Sequence, residues 1–281
     1  MRPRQWAKNV LVFVAPGAAG VLTTSLGIRQ AMLGFVVFSM ASAGTYLIND
    51  VLDVESDRRH PTKRNRPIAS GEVSIHVALG AAGALIVAAL LLALWRTPQF
   101  ALIVGLYVVL TTTYSTWLKQ QPVLDLVGLA AGFILRLLGG ARATDVPISD
   151  WFLIISCFGA LFIATGKRQA ERRELGESAS EVRTTLAVYT DQYLNFLKSV
   201  SAAAVLMSYC LFAVQRGHEE PAVALWVLLS IIPFLIAVLR YALLVEQGKG
   251  AAPEEVVLGD RMLQLMGLLW AVLMGISVYA T

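Results

Sequence analysis

The chain has 281 residues, 57% of them apolar and 15% charged, with a mean hydropathy of +0.65. Soluble domains carry about a quarter charged residues, so this composition excludes an ordinary soluble protein and points to an integral membrane protein. The net charge of +4 and pI near 9.2 are explained by basic loops at a membrane surface and imply no nucleic-acid partner.

Taken in chain order, apolar runs of about 17–24 residues are long enough to cross a hydrocarbon core as helices. They fall at 10–26, 31–50, 73–95, 98–118, 122–141, 150–166, 196–215, 222–245 and 261–280. The first is the weakest, interrupted by Pro16, Gly17 and Gly20. Met1-Arg2-Pro3-Arg4 ahead of it reads as the cytoplasmic entry to a first span, not as a cleaved signal segment. Alternate connections carry most of the Lys and Arg. Lys8, Arg58, Arg59, Lys63, Arg64, Arg66, Lys119, Lys167, Arg168, Arg172 and Arg173 lie on one side, whereas Arg29, Arg96, Arg142 and Arg216 lie on the other. The richer side is expected to be cytoplasmic, and an odd number of spans then puts the C-terminus outside. Cys157 and Cys210 both fall inside spans, which argues against a disulfide framework or a zinc site.

The expected architecture is an all-α integral membrane protein. It is a single membrane domain over 1–281, a bundle of nine transmembrane helices around a cytoplasm-facing cavity, with helical cytoplasmic caps. Most connections are short, which favours antiparallel neighbours. Two are long, 51–72 and 167–195, both basic and both expected to be functional. Their offset after spans two and six hints at four helices repeated, with a ninth appended. Gly166 to Leu175 reads as a helix leaving the bilayer, and Ser178 to Thr190 as a short amphipathic cap.

Chemistry concentrates where the second span ends, in Tyr46-Leu47-Ile48-Asn49-Asp50-Val51-Leu52-Asp53-Val54-Glu55-Ser56-Asp57. Carboxylates are costly at a membrane boundary. On a continuing helix Asn49, Asp53 and Asp57 share one face at i, i+4 and i+8. Stacked oxygen donors suit Mg²⁺ holding the phosphates of a substrate. A solvated helix end pairing with Arg58 and Arg59 would need neither the in-register Asn nor the cluster that follows, Lys63-Arg64-Asn65-Arg66-Pro67.

Asn49-Asp50-x-x-Asp53-x-x-x-Asp57, then Arg58-x-His60-Pro61-x-Lys63-x-x-Arg66-Pro67-Ile68, resembles the signature of the UbiA-type membrane prenyltransferase superfamily. The resemblance implies a nine-helix fold and a Mg²⁺-diphosphate site. Asn49, Asp53 and Asp57 would be metal ligands, Asp50, Asp53 and Asp57 catalytic, and Lys63 and Arg66 phosphate partners. His60-Pro61 is expected to shape the turn.

After the sixth span, superfamily members that use prenyl diphosphates repeat an acidic element. This chain has Lys167-Arg168-x-x-Glu171 instead. Adjacent cations suit a phosphate held directly by charge-assisted hydrogen bonds. With the Arg2-Pro3-x-Gln5-Trp6-x-Lys8-Asn9 start, that departure resembles one branch of the superfamily. It implies Mg²⁺-dependent transfer of 5-phosphoribose from phosphoribosyl diphosphate (PRPP) to polyprenyl (decaprenyl) phosphate, releasing diphosphate, for a cell-wall arabinan precursor. The enzyme would be a pentosyltransferase of the cell membrane with a cytoplasmic active site, and its oligomeric state stays open.

In that reading Lys8, Tyr46 and Asn49 join Lys63 and Arg66 around the donor, while Lys167, Arg168 and Glu171 hold the lipid phosphate. No general base is required, because the acceptor is already an anion. Asp125, Gly128, Gly132 and Arg136 share a face of the fifth span, with close helix packing the simpler role for the glycines. Arg136, with Lys119, is a further phosphate contact or else a structural partner of Asp125. Lys198 and Arg240, near span ends, are assigned to structure. The alternative is a prenyltransferase moving an isoprenoid chain from its diphosphate to an aromatic or tetrapyrrole acceptor. A transporter would spread its acids through the membrane depth, which these do not do.

Overall fold

The computed structural model describes residues 7–59, 63–175, 184–250 and 252–279. Expectations for Arg2 to Trp6, for His60-Pro61 and for Ser178 to Arg183 lie outside the described residues. All regular elements among those described are helices: α1 Val14–Ala18, α2 Ser25–Leu52, α3 Val54–Arg59, α4 Ile75–Arg96, α5 Pro98–Thr116, α6 Leu124–Ala143 and α7 Asp150–Leu175. They continue as α8 Thr184–Val188, α9 Asp191–Glu219, α10 Ala224–Leu229, α11 Ile231–Glu246, α12 Pro253–Gly259 and α13 Arg261–Tyr279.

Among the described residues, eight helical segments are long and apolar enough to cross a membrane: α2, α4, α5, α6, α7, α9, Pro221–Glu246 and α13. They coincide with eight of the nine expected spans. The first expected span, 10–26, is divided. A 3-10 stretch, Ala7–Phe13, leads into α1, and a second, Val21–Thr23, follows. Between them Gly20 takes a φ of 75°, a left-handed conformation that glycine reaches without strain. Thr24 then caps α2, accepting the Gly27 N–H at 3.0 Å.

Two compact units emerge from the pattern of contacts. Residues 1–17, 21–118 and 135–146 form one, and 18–20, 119–134 and 147–281 form the other. In the first unit α2 packs on α4 and α5, and α4 packs on α5. The contact face of α4 is small, with Ala78, Ala82, Ala89 and Ala93 all buried, so helices approach closely. Val37, Phe38, Ala41, Phe100, Val104 and Tyr107 fill the core around it. Thr97 ends α4 and caps α5, accepting the Phe100 N–H at 3.1 Å, with Pro98 at the first helical position. The C-terminal half of α6 is packed tightly: a Cβ at Gly140 would overlap the Val12 carbonyl.

In the second unit α7 packs on α9, α9 on α11, and α13 on α10 and α11. Phe162, Val205, Val238, Tyr241, Leu244 and Val245 are buried there. At the break between α10 and α11, Ser230 donates to the Val227 carbonyl at 2.6 Å and shares a 2.6 Å hydrogen bond with the Tyr209 hydroxyl, which also accepts from Trp270 Nε1. In both units large apolar side chains face outward, among them Leu91, Leu102, Val109, Leu239, Leu265 and Leu268. That is costly in water and normal against lipid.

Candidate active site

The acidic motif ends α2. The helix stops at Leu52, Asp53 is its C-cap with φ −92° and ψ 5°, and α3 begins at Val54. The break lasts one residue and keeps the register: the Asp53 N–H donates to the Asn49 carbonyl at 2.9 Å and the Asp57 N–H to the Asp53 carbonyl at 2.8 Å. Asn49 Nδ2 donates to Asp53 Oδ2 at 2.9 Å, so the first two expected ligands are held side to side. Asp57, the third expected metal ligand, is buried and its carboxylate is engaged by Arg66, so it pairs with a cation of the chain where a metal was expected. The same guanidinium reaches Asp50 Oδ1 at 3.3 Å, so Arg66 bridges the second and fourth polar residues of the motif. Arg58 goes elsewhere, to Glu55 and to the Ala69 carbonyl at 3.2 Å.

This donor set fits Mg²⁺ chemically. Asn49 and Asp53 are half-buried oxygen donors at a helix end. Among the described residues no three His, Cys, Asp or Glu side chains are grouped to hold a metal by themselves. Mg²⁺ is commonly held by one or two carboxylates and completed by substrate phosphates and water, which is what this arrangement offers. Lys63 begins the 3-10 turn Lys63–Asn65, Tyr46 lies one turn before Asn49 on α2, and Lys8 is half-buried at the start of the N-terminal 3-10 stretch.

In the same unit Arg136 is 5% exposed. It donates Nε to Asn9 Oδ1 at 2.9 Å and Nη2 to the Tyr107 hydroxyl at 2.8 Å, with its guanidinium 4.7 Å above the Tyr107 ring. Asn9 in turn donates to Ser39 Oγ and Ser42 Oγ, each at 3.2 Å. The arginine thus ties α6, α5 and, through Asn9, the N-terminal stretch and α2. Burying a charge this deeply requires such hydrogen bonding.

The second unit carries the Lys167-Arg168-x-x-Glu171 element on α7, and its two cations part company. The Arg168 side chain is 1% exposed, donating Nε to Asp125 Oδ2 at 2.7 Å and Nη1 to Glu171. Lys167 keeps a quarter of its side chain accessible and lies 3.8 Å from Glu171. Asp125, wholly buried at the start of α6, is therefore taken by Arg168. Its other oxygen accepts from the Tyr189 hydroxyl. That phenol oxygen accepts the Val123 N–H at 2.7 Å, where the backbone sits at φ 68°, strained for a β-branched residue. Burial, with the Asp125 hydrogen bond second, pushes the Tyr189 phenol above its usual range and keeps it a proton donor. Thr185, on α8, donates Oγ1 to the Lys119 carbonyl at 3.3 Å.

Sequence reasoning missed Tyr189. The available signal was Asp125 itself, a carboxylate opening an apolar helix, which demands buried donors from elsewhere in the chain. A further network in this unit was also missed. Lys198, expected to serve structure from a span end, is buried on α9, where its ammonium donates to Gln169 Oε1 at 2.8 Å and pairs with Glu246. Arg173 also reaches Glu246 Oε2, at 2.5 Å. Arg240, likewise assigned to structure, pairs with Asp260 at 2.7 Å.

The chain is 40% identical to decaprenyl-phosphate phosphoribosyltransferase of Mycolicibacterium smegmatis, over 99% of this chain and 91% of that one. It is 42% identical to the protein of that name from Mycobacterium tuberculosis, over 99% and 92% of the two chains. In fold it is similar to a UbiA homolog from Archaeoglobus fulgidus bound to GPP and Mg²⁺, with a TM-score of 0.68 at 19% identity, covering 99% and 98% of the chains. The model of the UbiA prenyltransferase family matches residues 10–252. With eight helices apolar enough to span a bilayer, the chain is a multi-pass membrane protein that belongs to the UbiA prenyltransferase family.

Proposed function

We propose that this protein transfers 5-phosphoribose from PRPP to a polyprenyl phosphate, of the decaprenyl class, and releases diphosphate at the cytoplasmic face of the membrane. The observation that carries the reading is near full-length identity of 40–42% to proteins named decaprenyl-phosphate phosphoribosyltransferase. The basic Lys167-Arg168-x-x-Glu171 element supports it, because it stands where a superfamily member that uses a prenyl diphosphate would repeat the acidic element.

In the reaction the C1–O bond to diphosphate breaks and a bond from a lipid phosphate oxygen to C1 forms. Direct displacement inverts C1. The acceptor oxygen is already anionic, so no proton is moved. Asn49 and Asp53 would hold Mg²⁺, which when bound neutralises charge on the departing diphosphate. Asp57 and Asp50 fix Arg66 beside that cluster, where its remaining N–H groups serve phosphate oxygens together with Lys63 and Lys8. Tyr46 is assigned to the sugar or its phosphate. Lys167, with part of its side chain accessible, is assigned to a phosphate in the second unit, alongside Lys119. Positioning and fixed charge then stabilise an oxocarbenium-like transition state.

The test offers purified protein and Mg²⁺ two reaction mixtures: labelled PRPP with polyprenyl phosphate, and a prenyl diphosphate with hydroxybenzoate. Labelled lipid from the first mixture is the expected result. Prenylated aromatic from the second, with no labelled lipid, would replace this reading with that of a prenyltransferase.

A further inference from the structure

One continuous chain of contacts, buried as far as Arg168, runs from Tyr189, just after the short helix α8, to the partly accessible cation Lys167. It begins where the Tyr189 hydroxyl accepts from the Val123 N–H and donates to Asp125 Oδ1. Asp125 Oδ2 accepts from Arg168 Nε, Arg168 Nη1 donates to Glu171 Oε2, and Glu171 Oε1 faces Lys167 Nζ at 3.8 Å. Tyr189 is 2% exposed and its ring stacks on Tyr193 with centroids 5.9 Å apart. Thr185 and Leu186 are buried beside it, and Thr185 grips the Lys119 carbonyl.

We propose that Tyr189 is a positioning residue: its hydroxyl locks Asp125 and Arg168 so that Glu171 holds Lys167 in the orientation that receives a substrate phosphate. The physical reason is directional. Arg168 has a rigid planar fork, and once Asp125 fixes Nε the direction of Nη1 is set, and with it the carboxylate of Glu171. Asp125 in turn holds its plane because each oxygen has a donor of its own. Lys167 alone is a flexible four-carbon stem with many rotamers, so restricting it beforehand lowers the ordering cost of binding. Two residues expected to act alike thereby take different roles, Lys167 touching phosphate and Arg168 acting through Glu171. The ligand chemistry is a phosphate monoester or diphosphate, which either the lipid phosphate or PRPP can supply.

This inference rests on the assignment of Lys167 to a substrate phosphate, and binding measurements separate its failure from failure of the transfer reaction. Full-length protein in detergent is titrated with farnesyl phosphate and, separately, with PRPP plus Mg²⁺. The proteins compared are the wild type, Tyr189→Phe, Lys167→Ala and the double variant. Tyr189→Phe is expected to raise the dissociation constant for one of the two ligands about tenfold, leaving the other within twofold. Which ligand responds identifies the phosphate. Lys167→Ala should weaken the same ligand, and adding Tyr189→Phe to it should change nothing further, because the tyrosine acts through the lysine. Asp125→Asn, which keeps the side chain's shape, must show the same selective loss. Independent, multiplying effects in the double variant, an equal loss of both ligands, or unchanged binding in Tyr189→Phe would each overturn the proposal. Absence of phosphoribosyl transfer by a wild-type protein that shows this binding pattern would count against the reaction assigned above and leave the positioning role standing.

Discussion

Arg168→Met is the perturbation whose outcome follows most directly from burial. The guanidinium and its partner Asp125 are 1% and 0% exposed, so the substitution strands a carboxylate out of reach of water. Breaking one side of a buried pair costs about 3–5 kcal/mol. Asp125 keeps the Tyr189 hydroxyl and lies in the first turn of α6, where the helix dipole returns about 0.3–1 kcal/mol. A net loss of about 3–4 kcal/mol is expected. The double variant Asp125→Leu/Arg168→Met removes both charges and fills similar volume. Among the contacts described, it costs the Tyr189 hydroxyl its acceptor and the half-buried Glu171 one of its two cations, at about 1 kcal/mol each, so most of the stability should return. Equilibrium unfolding in mixed micelles of dodecylmaltoside and dodecyl sulfate, followed by tryptophan fluorescence, measures both variants. A single variant within about 0.5 kcal/mol of wild type, or a double variant as unstable as the single, would refute the buried-pair reasoning.

Three further outcomes are expected. Asp53→Ala should abolish Mg²⁺-dependent turnover while leaving the unfolding midpoint near wild type, because Asp53 is half-buried and bonded to Asn49 within the same motif; activity assays across a Mg²⁺ titration check it. Gly140→Ala should destabilise by about 1–3 kcal/mol, since the added methyl meets the backbone carbonyl of Val12, which has no rotamer to escape into; the same micelle unfolding reads it. Asp260 is held below its ordinary 3.8 by hydrogen bonds from Arg240 and from the Leu263 N–H. Its contribution is therefore present above that value and lost as pH falls through the lower folded value. Asp260→Asn should remove that modest contribution at neutral pH and so flatten the acid limb of stability below about pH 4, the two proteins converging at low pH, as melting scans from pH 3 to 7 would show.

The spans were legible because length and apolarity alone decide whether a helix can cross a bilayer, and eight of the nine expected segments are helices at those positions. The extension of α7 to Leu175, past the apolar stretch, was legible too, from its helix-forming charged sequence. The segment 10–26 was legible only as the weakest span: Pro16 and Gly20 marked an interruption, but where the backbone would divide into 3-10 and α pieces depends on geometry that hydropathy does not carry. In the acidic motif the Asn49–Asp53 pairing follows from i,i+4 spacing, whereas the use of Arg66 by both Asp50 and Asp57 depends on how the following loop turns back. Lys167 and Arg168 are neighbours of like charge in sequence. A rotation of about 100° along the helix separates a buried ion pair from an accessible cation, and only packing tells which is which.

The transfer reaction itself gives the most direct test. Purified protein would be supplied with Mg²⁺, polyprenyl phosphate and PRPP carrying separate labels in the ribose and in the diphosphate. The expected result is ribose label and its 5-phosphate in the lipid, with one diphosphate released per lipid formed and no release when the lipid phosphate is omitted. Diphosphate released without lipid product, or diphosphate label carried into the lipid, would contradict the assignment.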